Sequence, residues 1–359
     1  MRRTHGTKRH IAAWLAVVGL ALGCKSESAG TLQMDGIWIS PKDLASLPTE
    51  GPSWEQLFQE AQQPAEHPNL SDQDEHTNVR VLAKALVAAR TGNDDLRYQV
   101  VDAIHAVIGT EKGARTLAVG RKLAAYVIAA ELVHLPPEED ARFRAWLRDL
   151  LGKELRGESL RSTHERRPNN WGTHAGASRA AVAAYLGDRA EMERTAQVFR
   201  GWLGDRSAYA DFEFGELGWQ ADRDHPVGIN PKGASRDGHS LDGVLPDDQR
   251  RAGGGFTWPP PHENYVYGAL QGALTQAMIL HRAGYDVWEW SDRALLRAFT
   301  WLQQEAQYPP TGDDTWLAPL VDSVYGTHFW DGKPTQPGKN LGWTDWTLAP
   351  PPEQVPARP

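Results

Sequence analysis

Cysteine is almost missing from this chain. Cys24 is the only one in 359 residues, so no internal disulfide can form and no thiolate cluster can hold a metal. Excess positive charge is missing as well: 38 Lys and Arg stand against 46 Asp and Glu, a formal net charge of −8. An acidic chain has no general attraction for polyanions. Nucleic acid is therefore a poor partner, and any anionic substrate needs a locally basic cleft. The histidines form no HExxH or comparable cluster, since His164, His225, His262, His281 and His328 are scattered, and neither a metal nor another cofactor is expected. Strictly alternating apolar and polar runs are absent too, which argues against a sheet.

Tryptophan is what the chain has in excess, with 15 residues. Flat rings with one polar edge suit both large cores and sugar-binding grooves, and packing should account for most of them.

The N-terminus reads as an address. Arg2, Arg3, Lys8 and Arg9 precede an apolar run from Ile11 to Gly23, too short for a membrane span and right for a signal-peptide core over residues 1–23. The run ends Leu20-Ala21-Leu22-Gly23-Cys24, which resembles a lipobox with Ala21 and Leu22 exchanged, so Cys24 is expected to carry a lipid. A plain secretory signal with an incidental cysteine is the alternative. In both cases the protein is exported, periplasmic or at the cell surface, and touches membrane only through the anchor. Residues 24–35 then form the lipidated start and tether, 36–348 the folded domain, and 349–359 a proline-rich tail left without structure.

Within the domain, apolar residues recur at helical spacing from Asn78 to Gly92 and from Leu96 to Gly109. Further helices are predicted over Leu117–Leu132, Phe143–Leu151, Gly176–Leu186, Met192–Leu203, Asn264–Leu280 and Arg293–Gln304. Short links make them antiparallel pairs of an all-α protein. Such pairs stack into a solenoid or close into an (α/α) toroid around a substrate cleft, and the lack of a fixed repeat length favours the toroid. One long irregular loop, Tyr209 to Pro261, interrupts them. Loops of that length are usually functional or disordered, and its aromatic content argues against disorder. A monomer is expected.

Chemistry concentrates in three places. In Pro168-Asn169-Asn170-Trp171-Gly172-Thr173-His174, a helix starting near Asn170 puts Asn170 and His174 on one face, an amide donor beside an imidazole. Equally, Asn169 or Asn170 could cap the helix and His174 lie in the core. Arg250 and Arg251 end the polar loop after Gly243-Val244-Leu245-Pro246, unless mutual repulsion leaves them in solvent. Tyr265 and Tyr267 follow Pro261 at the start of the next helix. Amide, guanidinium, imidazole and phenol are the groups that β-elimination of a uronate needs. Removing the weakly acidic C5 proton requires a neutralised carboxylate, a base, and an acid for the departing O4.

The segments PNNWGTHAGASR, GVLPDDQRR and HENYVYGAL, in this order, resemble the alginate lyase family's Asn-Asn-His segment, its Leu-Pro-acidic-basic segment and its tyrosine helix. With the entry stretch Ile37-Trp38-Ile39-Ser40, the resemblance runs from Trp38 to Trp301. It implies an (α/α) toroid and metal-independent cleavage of an anionic polysaccharide of alginate or glucuronan type. Asn170 would neutralise the carboxylate, His174 serve as base or positioner, Arg251 assist, and Tyr265 give the proton to O4. Asn169, Trp171, Arg250, His239, Trp258 and Tyr267 would contact substrate, with Tyr267 the reserve for Tyr265. Two features depart from the family: Trp171 stands where its histidine follows the Asn pair, and AGGGFTWPPPHEN separates Arg251 from Tyr265. Two other functions stay open. A toroid glycoside hydrolase could use two of Asp237, Asp242, Asp247 and Glu263, and an idle lipoprotein could bind sugar through tryptophan.

Overall fold

The computed structural model describes Met1, residues 31–251 and residues 254–348. The rest of the signal segment, Cys24 and the tail 349–359 lie outside the described residues. Helix makes up 55% of the described residues and strand 2%, so the class is all-α. All elements below belong to the unit that begins at Thr31.

Two short helices, α1 (Pro41–Ser46) and α2 (Pro52–Ala61), each start with a proline, whose fixed φ suits a first helical turn. Longer ones follow: α3 (Thr77–Thr91), α4 (Asp94–Val107), α5 (Thr116–Val133), α6 (Pro137–Gly152), α7 (Leu160–Arg166), α8 (Asn170–Leu186) and α9 (Arg189–Trp202). Links between partners are tight. Gly92 ends α3 at φ 72° and the next residue, Asn93, caps α4; Gly187 ends α8 at φ 68° and Asp188 caps α9. A left-handed glycine followed at once by an Asx cap turns the chain back in two residues.

Beyond the long loop come α11 (Asn264–Arg282), α12 (Trp290–Gln304), α13 (Leu317–Tyr325) and α14 (Thr344–Thr347), with the single-turn α10 (Pro246–Gln249) inside the loop. The loop also carries a hairpin, β1 (Ser235–Arg236) against β2 (His239–Ser240), turned by Asp237 and Gly238 at φ 51° and 81°. It is fastened outward to α12. Arg297 Nη1 meets Asp242 Oδ1 at 2.6 Å, and Trp301 Nε1 donates to the Ser240 carbonyl at 2.8 Å.

α8 is the axis of the packing, with α5 on one side and α11 on the other, while α3 lies against the far side of α5. Both α5 and α8 are buried nearly all round, as helices without a polar face must be. Their backbones approach closely because glycines stand at the crossings. A Cβ on Gly120 would lie 2.9 Å from the Ala175 nitrogen, and one on Gly272 of α11 would lie 2.5 Å from the His174 nitrogen. From α11 the contacts pass to α13, to α14, to α2 and back to α3. Nine tryptophans are buried in the core, while Trp171 and Trp258 stay partly open.

Several predicted helices begin earlier than their apolar spacing implies, α6 and α8 by the most. α6 starts at Pro137, where three acidic residues in the first turn suit the helix dipole, and α8 starts at Asn170 instead of Gly176. Within the extra turn of α8, a Cβ on Gly172 would sit 1.8 Å from the Arg167 carbonyl oxygen. That glycine therefore marks a close contact and not a helix end.

Candidate active site

The start of α8 is held from a distance by α10. Asn169 caps the helix, its Oδ1 accepting from the Trp171 N–H at 3.1 Å, and its Nδ2 donates to Asp247 Oδ2 at 2.9 Å. The Asn170 N–H donates to Asp248 Oδ1 at 3.1 Å. Asp247 Oδ1 also accepts from the Gly215 N–H at 3.0 Å and from Arg250 Nε at 2.9 Å. Asp248 is buried, which pushes its carboxyl well above the usual range; neighbouring Asp247 adds to this, while Arg251, the Asn170 N–H and Arg250 oppose it.

On this frame sit three side chains with groups to spare. Arg251 Nη2 donates to Asn170 Oδ1 over 3.5 Å, and the Arg251 guanidinium carbon lies 5.0 Å from the centre of the Tyr265 ring. Asn170 Nδ2 and Arg251 Nε are both buried without a hydrogen-bond partner among the described residues. Unpaired buried donors are rare enough in folded proteins to call for a reason. Here the two are linked through the Arg251–Asn170 contact, and Arg251 lies against a tyrosine that is 42% exposed.

One turn along α8, His174 is wholly buried and neither ring nitrogen has a partner. Burial, then the positive charges of Arg121 and Lys339, hold its pKa well below the ordinary histidine value, so the ring is neutral at physiological pH. Arg121 was not singled out by the sequence reading. It projects from α5, is nearly buried, leaves its Nε unpaired and lies within electrostatic reach of Asp74, Asp313 and Tyr265. Burial lowers its pKa against those three influences.

The remaining sequence candidates are placed differently. Tyr267 is 1% exposed, its hydroxyl donates to the Tyr308 carbonyl, and burial pushes its pKa up. Asn169 and Arg250 have their polar groups engaged by Trp171 and Asp247 as described. His239 and Trp258 come together, rings stacked 4.1 Å apart at 11°, in contacts that do not include Asn170, Arg251 or Tyr265 among the described residues. Trp171 is partly open beneath the Arg167 guanidinium, 5.6 Å from its ring centre. Of the acids a hydrolase would need, Asp237 is exposed at the hairpin tip, Asp242 is paired with Arg297, and Asp247 is saturated by its three donors. Glu263 is buried at the start of α11 with Oε2 unpaired; burial raises its pKa and Arg251 opposes the rise.

Residues 108–208 match the alginate lyase family model. The match supports assigning the chain to that family and supports polysaccharide lyase activity. It covers α5 to α9, and so contains Arg121, Asn169, Asn170 and His174, whereas Arg251 and Tyr265 lie beyond it. No curated protein matches the chain.

Proposed function

We propose that this alginate lyase homologue cleaves a uronic-acid polymer, of alginate or glucuronan type, by β-elimination, in a cleft at one end of an (α/α) toroid. The observation that carries the reading is the pair of unpaired donors, Asn170 Nδ2 and Arg251 Nε, with the half-open Tyr265 against the Arg251 guanidinium. A carboxylate entering there would satisfy both donors. Its charge would be neutralised, and the C5 proton would become more acidic, since the transition state places charge on that carboxylate. Loss of the C5 proton to a base forms the C4–C5 double bond as the C4–O4 bond breaks, and Tyr265 gives the departing O4 its proton. His174, neutral and without a partner, is suited to take the C5 proton when Tyr265 stands on the wrong side of the ring. The return of neighbour contacts from α11 through α13, α14 and α2 to α3 supports the toroid.

The product carries a double bond conjugated to its carboxylate and absorbs in the near ultraviolet, which neither hydrolysis nor binding produces. Incubation with alginate, its mannuronate-rich and guluronate-rich fractions, and glucuronan is expected to give absorbing product from at least one. Tyr265→Phe should lower that rate by about two to four powers of ten. Cleavage that yields only saturated ends would point to hydrolysis instead.

A further inference from the structure

A groove of about 360 Å³ opens beside Trp171, lined by Arg115, Arg156, Arg166, Arg167 and Glu158. Four guanidiniums against one carboxylate make this a basic cavity on a chain whose net charge is −8. Two of the four are held in exposed ion pairs, Arg167 to Glu158 at 2.8 Å and Arg166 to Glu213 at 2.7 Å. The other two are not paired with a carboxylate in the groove: Arg156 Nε donates to the Gly113 carbonyl at 2.8 Å, and Arg115 is exposed.

The groove adjoins the candidate active site through Trp171. Trp171 follows Asn170 in the chain and presents its partly open ring to the groove. Arg115 and Arg156 also line a second cavity of about 280 Å³ with Asp72 and Asp74.

We propose that this groove is an extended subsite holding a second uronate residue of the same chain: Trp171 stacks on the sugar face while Arg115 and Arg156 bind its carboxylate. The inference rests on the reading that the substrate is a polyuronate. Arginine suits the task because its planar fork matches a carboxylate, and a ring edged with cations suits a charged sugar. Substrates too short to reach the groove gain nothing from it. The contribution is therefore to polymer affinity, with a salt dependence set by the charges engaged.

The test is direct binding, in the Tyr265→Phe background so that nothing is consumed. Calorimetry with alginate and glucuronan chains, and with dextran as the neutral control, is compared between that protein and versions also carrying Arg115→Ala or Arg115→Ala with Arg156→Ala. The double change is expected to weaken uronan binding by about tenfold and to flatten its salt dependence, with no effect on dextran. The single Arg115→Ala, whose side chain is exposed, gives the same direction at smaller size if loss of the Arg156 contact unsettles the fold. Unchanged uronan affinity and salt dependence in both versions would overturn the subsite, whatever the enzyme's activity. Weaker uronan binding in the arginine variants, together with a wild-type protein that forms no unsaturated product, would leave the groove standing and remove the lyase reading.

Discussion

Tyr265 and Tyr267 stand two positions apart, which on a helix is a rotation of about 200°. One ring therefore meets solvent beside Arg251, and the other points into the core against the Tyr308 carbonyl. Their phenylalanine variants should fail differently. Tyr265→Phe is expected to keep its melting temperature and lose turnover. Tyr267→Phe strands a buried carbonyl and should cost on the order of 1 to 3 kcal/mol of stability while leaving the chemistry in place. Thermal melts beside ultraviolet-product assays separate the two, and the opposite pattern would put the reactive phenol at Tyr267. His174 allows a finer distinction. In mannuronate and glucuronate the C5 proton and O4 share a side of the ring, so one tyrosine can take the proton and return it. In guluronate they lie on opposite sides and a second base is needed. His174→Ala should thus slow guluronate cleavage more than mannuronate cleavage, measured as a ratio so that any loss of folded protein cancels. Equal slowing of both would make His174 a packing residue.

Among the elements, α8 depends most on the absence of side chains. Gly272→Ala would drive a methyl group to within 2.5 Å of the His174 nitrogen, and backbone cannot yield as a flexible side chain can. Separating α11 from α8 is expected to cost about 1 to 3 kcal/mol and to lower turnover, because Asn170 and Tyr265 ride on those two helices. A melting temperature equal to wild type would mean the helices can slide apart freely. The same glycines explain what could be read from the sequence. Apolar spacing marked the long helices well, since the repeated Leu, Val and Ile of α3 and α4 face the core. It placed the start of α8 too late, because Gly172 and Gly176 look like helix breakers until the neighbours they make room for are known. Very short helices such as α1 and α14 hold too few turns to develop a period. Of the site, Asn170, His174, Arg251 and Tyr265 were legible as chemical types in three segments. Arg121 was not, because the adjacent cations Arg121 and Lys122 in an apolar run read like side chains reaching for the surface. Nor was the clasp of Asp247 and Asp248, whose bonds to α8 span 78 residues.

At the scale of the whole molecule the open matter is where it resides. We propose export and lipid attachment through Cys24, on the basic start, apolar run and terminal Gly-Cys of the leader. Cys24→Ser is expected to move the protein from the membrane fraction of a fractionated cell to the soluble fraction. An unchanged distribution would mean that the cysteine carries no anchor.

The loop between α9 and α11 has one further consequence. It is riveted to the start of α8 through Asp247 and Asp248 of α10, and to α12 through Asp242 and the Ser240 carbonyl. The hairpin turn at Asp237 and Gly238, just ahead of the second rivet, is exposed. For an engineer that is a cassette. A different turn of the same span between Arg236 and His239 is expected to leave both rivets, and the helices that carry Asn170 and Tyr265, as they are.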